Sequence, residues 1–211
     1  METPGPVSIL RRGGQGLVAA ALGWNEEFGG LTGSPPGSVD SVTSIRPTRS
    51  ADLPVIQQIE SSAGELFRTV GMADIADHPD PTIEVLTDYH RAGRSWVAVD
   101  DNDHPVAYIL VKLVDGLAHV EQVSVDPAYA HRRLGRDLID HVERWTTAPA
   151  LTLTTFRDLP WNGPYYERVG FTVLAPEDRG PELVLLMAEE AAHGLDPAQR
   201  IAMIRPIHQA R

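Results

Sequence analysis

The chain has 211 residues, with 18 Lys and Arg against 29 Asp and Glu, and no cysteine. That length holds one domain of ordinary size, and a formal charge of −11 excludes a protein that coats nucleic acid through a broad positive field. Without cysteine there is no disulfide framework, no thiolate metal site and no cysteine nucleophile, so the cytoplasm is the expected compartment.

Residues 1–42 carry Gly13, Gly14, Gly29, Gly30, Gly33, Pro35, Pro36 and Gly37, too many breakers for helix or strand periodicity, and are expected to form a flexible leader. The apolar window from Gly16 to Trp24 falls far short of the roughly 20 residues that a membrane span needs. Arg11 and Arg12 precede it without a small-residue cleavage site, so neither a membrane association nor export is expected. Periodicity starts at Ser44 with a short strand, and a helix follows from Ser50 to Gly64 with Leu53, Ile56 and Ile59 on one face. A second helix is predicted over Thr82 to Arg91. Three strands come next, at 95–100, 106–114 and 117–125, and Asp101-Asn102-Asp103 and Asp115-Gly116 turn the chain between them into an antiparallel meander. Leu134, Leu138, Ile139, Val142 and Trp145 stripe a helix from Arg133 to Thr146. A buried strand at 151–156, a short helix at 163–169 stopped by Gly170, and strands at 171–174 and 183–187 complete a domain over 43–187. The extension 188–211 reads as helical in two pieces, the second running from Pro197 to Ile204 behind Asp196 as its cap.

The chemistry concentrates where the strand at 117–125 runs into an Arg-rich turn. Helix N-terminal amides with Arg132, Arg133 and Arg136 form a place for a diphosphate. Neither Gly-x-x-x-x-Gly-Lys-Ser/Thr nor Gly-x-Gly-x-x-Gly occurs, and the histidines lack ligand spacing, so no metal is expected. The string Val125-Asp126-Pro127-Ala128-Tyr129-Ala130-His131-Arg132-Arg133-Leu134-Gly135-Arg136 and the segment Tyr165-Tyr166-Glu167-Arg168-Val169-Gly170-Phe171, in this order with one strand between, resemble the GNAT superfamily of acetyl-CoA-dependent N-acetyltransferases. Gly135 matches the second glycine of the family's loop. Ala130 replaces the usual Arg or Gln, and Arg133 replaces the first glycine.

The resemblance implies an α/β fold of mixed α+β type. A central, mostly antiparallel, twisted sheet of six to seven strands is splayed between the fourth and fifth and flanked by helices. It implies that the backbone of His131, Arg132, Arg133, Leu134, Gly135 and Arg136 holds the diphosphate of acetyl-CoA. Val123, Ser124 and Val125 would receive its pantetheine arm by strand-like pairing, with an amide near Val123 polarising the thioester carbonyl. Asn162 either bonds the pantetheine or caps its helix.

Attack by a primary amine of pKa near roughly 10 needs a proton acceptor at neutral pH. Alternation puts His119, Glu121 and Val123 on one strand face, so Glu121, His119 or a water relay is the base, and Tyr166, at the family's tyrosine position, is the acid for the departing thiolate. The implied activity is acetyl transfer to a primary amine through a tetrahedral intermediate. The alternative is a non-catalytic acetyl-CoA-binding regulatory module. The acceptor is a small molecule or a protein amine, and the acids Asp74, Asp77 and Asp80 with His78 would suit a cationic one; a homodimer is compatible with this reading.

Overall fold

In the computed structural model residues 44–207 are described, and the expected leader over 1–42 lies outside them. The elements in chain order are β1 (Ser44–Pro47), α1 (Leu53–Gly64), α2 (Ala73–Ala76), α3 (Ile83–Arg91), β2 (Ser95–Val99), β3 (Pro105–Val114), β4 (Leu117–Val125), α4 (Leu134–Trp145), β5 (Ala150–Phe156), α5 (Gly163–Arg168), β6 (Thr172–Val173), α6 (Pro181–Ala192) and β7 (Arg200–Pro206). One seven-stranded sheet has the order β1-β2-β3-β4-β5-β7-β6. Every neighbouring pair in it is antiparallel except β4 with β5. Among the described residues no helix is long and apolar enough to cross a membrane.

Local chemistry accounts for the meander. Asp115 and Gly116 both adopt left-handed backbone, φ 51° and 74°, which is the tight hairpin turn that matches strand twist. At the preceding turn the Asp100 carboxylate accepts from the amides of Asn102 and His104, each at 2.9 Å. Both sheet faces are covered. On one, α4 and α5 pack Leu134, Leu138, Ile139, Val142 and Tyr166 against Ile109, Val111, Val120, Val123, Val125, Leu153 and Met203. On the other, Leu53, Ile56 and Ile59 of α1 and Leu86 and Tyr89 of α3 meet Val97, Val99, Tyr108 and Leu110. Full burial of each such aliphatic side chain stabilises the fold by about 1.5–3 kcal/mol.

The C-terminal part corrects the sequence reading. Residues 183–187 are not a strand but the first half of α6, and 197–204 are not a helix but a turn leading into β7. A short apolar run such as Leu183 to Met187 fits strand or helix equally well. The decision is made from outside the segment: the Asp115 carboxylate, on the β3–β4 turn, accepts from the amides of Glu182 and Leu183 at 2.9 and 3.0 Å, while the Glu182 carboxylate accepts from the Asp115 amide at 2.6 Å. Two orphan donors at the start of a helix are thereby satisfied by a distant residue. Asp196 does accept from the Ala198 amide, but that cap produces only a turn. β5 offers a full edge, and Ile201 and Met203 on one face with Ala202 on the other bury against both layers when Arg200 to Pro206 pairs with it.

Candidate functional site

The turn before α4 is built by Asp126, whose carboxylate accepts from the Ala128 amide at 2.8 Å and holds Pro127 to Tyr129 in one tight turn. Beyond it the backbone leaves regular structure: His131 and Arg133 have φ of 65° and 61°, and Arg133 is the N-cap of α4. The expectation of helical backbone at 133 is therefore corrected. Its left-handed conformation explains why glycine suits this position, since an L side chain there costs roughly 1–2 kcal/mol. Asp137 is the first amide of α4 to find a backbone acceptor, the Arg133 carbonyl at 3.0 Å. Among the described residues the amides of 131–136 donate to no protein acceptor. His131, Arg132, Arg133 and Arg136 are exposed around them, Leu134 and Gly135 are buried, and the Arg132 guanidinium lies 5.0 Å from the Tyr129 ring centroid.

This row of donors follows the end of β4, whose edge toward β5 is partly open. β4 and β5 pair only at Ala118 with Leu151, His119 with Thr152 and Val120 with Leu153, so Glu121 to Val125 and Thr154 to Phe156 diverge. The Asp126 amide donates to Val106 on the β3 side at 2.9 Å. Counting back by two along an antiparallel strand, the amides of Ser124 and Gln122 also face β3, which leaves those of Val123 and Val125 aimed into the gap. Their side chains lie in the core beneath α4.

Tyr166 stands in that same core, fully buried, with its ring edge-on to Tyr165 and Phe171. Its hydroxyl has no hydrogen-bond partner among the described residues, and burial pushes its pKa well above that of a free phenol. A buried, orphaned hydroxyl costs free energy unless something else occupies its hydrogen-bonding position. Asn162 does not cap α5 with its side chain; its Nδ2 instead donates to Thr155 Oγ1 at 2.8 Å, on the diverging part of β5.

The two expected bases sit elsewhere. β3 pairs Leu110 with Gln122 but Val111 with Val120, so Glu121 is an extra residue in β4, a β-bulge. Lys112 lies opposite His119 and reaches Glu121 at 2.5 Å, which places His119, Lys112 and Glu121 on the face opposite Val123. Simple alternation, which put Val123 with them, fails at the bulge. His119 is 1% exposed, its Nδ1 is 3.0 Å from Thr152 Oγ1, and burial, with the charges of Lys112 and Arg200, lowers its pKa well below that of a free imidazole.

A residue that the sequence did not single out occupies the centre of that face. Glu60, half-buried on α1, accepts from Tyr108 Oη at 2.6 Å, from Ser124 Oγ at 2.7 Å and from Gln122 Nε2 at 3.0 and 3.1 Å. Desolvation raises its pKa to about 7, helped by the charge of Asp80 and opposed by the bonds from Ser124, Tyr108 and Gln122. Burial raises the Asp80 carboxyl too. Of the other expected acceptor-side acids, Asp77 is paired with Arg68 and Asp74 is exposed.

A model of the acetyltransferase (GNAT) family matches residues 57–171, more than half of the sequence. The chain belongs to the GNAT family. Over 90 residues it is 29% identical to the peptidyl-lysine N-acetyltransferase YjaB of Salmonella typhimurium, an alignment that spans 43% of this chain and 58% of that protein, less than two thirds of its length. Among solved structures, the N-acetylglutamate synthase from Neisseria gonorrhoeae complexed with coenzyme A and N-acetyl-glutamate superposes with a TM-score of 0.60 at 16% identity, over 82% of this chain and 37% of that one. The ribosomal-protein-S18-alanine N-acetyltransferase from Escherichia coli gives 0.54 at 18%, over 81% and 97%. At such identities the likeness is one of fold, and the sheet with its single parallel pair is the GNAT fold expected from the sequence.

Against the GNAT pattern, the structure brings together Val123, Val125, Leu134, Gly135 and Tyr166, and it separates them from Glu121 and His119 by the thickness of the sheet. Glu60 escaped because its neighbours on α1, Gln57, Gln58 and Ser61, make it look like one more polar position of an amphipathic helix. The available signal was Gln122 and Ser124, two polar residues in an otherwise apolar strand end that need a buried partner.

Proposed function

We propose that this GNAT chain is an acetyl-CoA-dependent N-acetyltransferase that moves an acetyl group to a primary amine by direct attack on the thioester. The observation that carries this reading is a broken run of unsatisfied main-chain donors, residues 131–136 at the head of α4 and then Val123 and Val125 on the open edge of β4. Such a run fits a ligand with a diphosphate at one end and amides along its arm, and the orphaned Tyr166 hydroxyl fits a ligand atom arriving at the far end.

The co-substrate supplies an activated acyl thioester, and the chain's own groups do the rest. The amides of His131, Arg132, Arg133, Leu134, Gly135 and Arg136 bind phosphate oxygens, with the exposed guanidinium groups adding charge. The amide of Val123 stabilises negative charge that develops on the carbonyl oxygen, that of Val125 continues the strand pairing while Ser124, whose amide faces β3, takes no part in it, and Asn162 orients Thr155 at the mouth of the gap. Tyr166, whose burial keeps its proton on at every working pH, gives that proton to the departing sulfur. Glu121 and His119 are not assigned the base role, because Lys112 neutralises the first and burial closes off the second. The acceptor, a small-molecule or protein amine, approaches from the α1 side, where Glu60 and Asp80 favour a cation.

Titration calorimetry with coenzyme A, followed by thiol release from acetyl-CoA in the presence of a lysine peptide and of spermidine, tests the reading. Micromolar binding with amine-dependent release is expected. The absence of any heat with coenzyme A would overturn it.

A further inference from the structure

We propose that Glu60 and Gln122 form the acceptor site, in which the Glu60 carboxylate and Gln122 Oε1 hold the ammonium group and Glu60 takes its proton before the nitrogen attacks beside the Val123 amide. The inference rests on the acetyltransferase reading and adds to it the identity of the proton acceptor.

Three observations converge on this site. Glu60 is held by Tyr108, Ser124 and Gln122 from two different strands, so its carboxylate is fixed in place rather than swinging from α1. Gln122 and Ser124 flank Val123, so the carboxylate lies within one strand position of the amide that faces the gap. Finally, Gln122 is fully buried, gives its Nε2 to Glu60, and leaves its Oε1 without any partner among the described residues. That oxygen is an acceptor standing beside a carboxylate, and a group that offers several N–H bonds would satisfy both. An ammonium group does so, whereas a hydroxyl nucleophile offers one donor only.

An ammonium proton passes to a Glu60 oxygen, giving a neutral carboxylic acid, and the freed nitrogen lone pair forms the C–N bond to the acetyl carbon. The C–S bond breaks with its electron pair on sulfur, Tyr166 protonates the sulfur, and the second nitrogen proton returns to the Tyr166 oxygen through the site. Glu60 then releases its proton to solvent, so one amide, one thiol and one proton leave. A base whose pKa lies near neutrality suits this task, and desolvation has placed Glu60 at about 7. The other titratable groups on this face include Tyr108 from β3, His119 from β4, Asp80 from the loop before α3, Tyr89 from α3 and the Lys112–Glu121 pair.

The pH profile of kcat/KM decides the matter. With an Nα-acetylated lysine peptide or spermidine as acceptor, the wild type uses ionised Glu60 with a protonated amine. Its profile should therefore rise to a break near the Glu60 value of about 7 and stay level until the amine titrates. Glu60→Gln must use the small free-amine fraction, so turnover should fall about 10²–10⁴-fold and the profile should climb without a break to the amine pKa near roughly 10. Its affinity for coenzyme A, measured by calorimetry, should stay within about twofold. Ser124→Ala removes a bond that favours the ionised form, and should move the break to higher pH in an otherwise intact protein. A Glu60→Gln profile that superimposes on the wild type, or a break that Ser124→Ala leaves in place, overturns the proposal. So does a wild type that binds coenzyme A yet acetylates neither amine. Loss of coenzyme A binding in the wild type itself would instead sink the acetyltransferase reading on which the proposal rests.

Discussion

The Glu60 carboxyl is a debt carried by the fold, and its size can be measured without any substrate. Its ordinary value is 4.5 and the folded environment raises it to about 7. Between those values the folded chain binds a proton that the unfolded chain has already lost, so stability falls as pH rises through this window, and the full loss is present above pH 7. A gap from 4.5 to about 7 corresponds to about 3 kcal/mol, of which roughly 2.5 kcal/mol develops between pH 5 and pH 8. Glu60→Gln cannot titrate and removes this slope. The assay is urea unfolding of both proteins at pH 5 and pH 8, followed by the fluorescence of the buried Trp96 and Trp161. Taking the difference between the two proteins cancels every titration they share, including that of His119. The variant should therefore gain roughly 2.5 kcal/mol on the wild type over this interval, regardless of which is more stable at pH 5. Identical pH slopes for the two proteins would refute the reasoning, because Glu60 would then titrate as a solvated carboxylate.

Other perturbations follow from the same geometry. Tyr166→Phe removes an orphaned hydroxyl, so stability should stay level or rise while kcat falls about 10²-fold or more and coenzyme A affinity is kept; steady-state kinetics and calorimetry read the two apart. Arg133→Gly relieves left-handed backbone at the price of a more flexible unfolded chain, for a net gain of up to about 1 kcal/mol in denaturant unfolding, and Arg133→Ala, which keeps its Cβ, should show none of it. Arg200 and Glu190 are 3% and 5% exposed and paired at 3.1 Å, so Arg200→Met strands a buried carboxylate and should cost about 3–5 kcal/mol, partly restored by adding Glu190→Leu.

The meander and α4 were legible because their signals are local: Asp115-Gly116 dictates a hairpin, and the stripe from Leu134 to Val142 dictates a helix face. The helix start at 131–136, with its unpaired amides, was legible for the same reason, though not the left-handed turn at Arg133, which depends on how the chain leaves Asp126 and Tyr129. What sequence could not supply is whatever one segment does to another. The Leu183 to Met187 run becomes helix because Asp115, far away in sequence, caps it. The face of Val123 is reversed relative to His119 because β4 carries one more residue than β3 between Val120 and Gln122. Glu60 acquires its chemistry from Tyr108, Gln122 and Ser124, none nearer than 48 residues along the chain.

The insertion of β7 between β5 and β6 has a consequence for biosynthesis. Until residues 200–206 emerge from the ribosome, β5 presents a bare ladder of Leu151, Leu153 and their neighbours, and the two-residue β6 has nothing to pair with. An unfinished chain therefore holds an apolar sheet edge open to other nascent copies. Premature termination just before Arg200, though it spares every residue assigned to chemistry above, should yield inclusion bodies in place of a weakened enzyme.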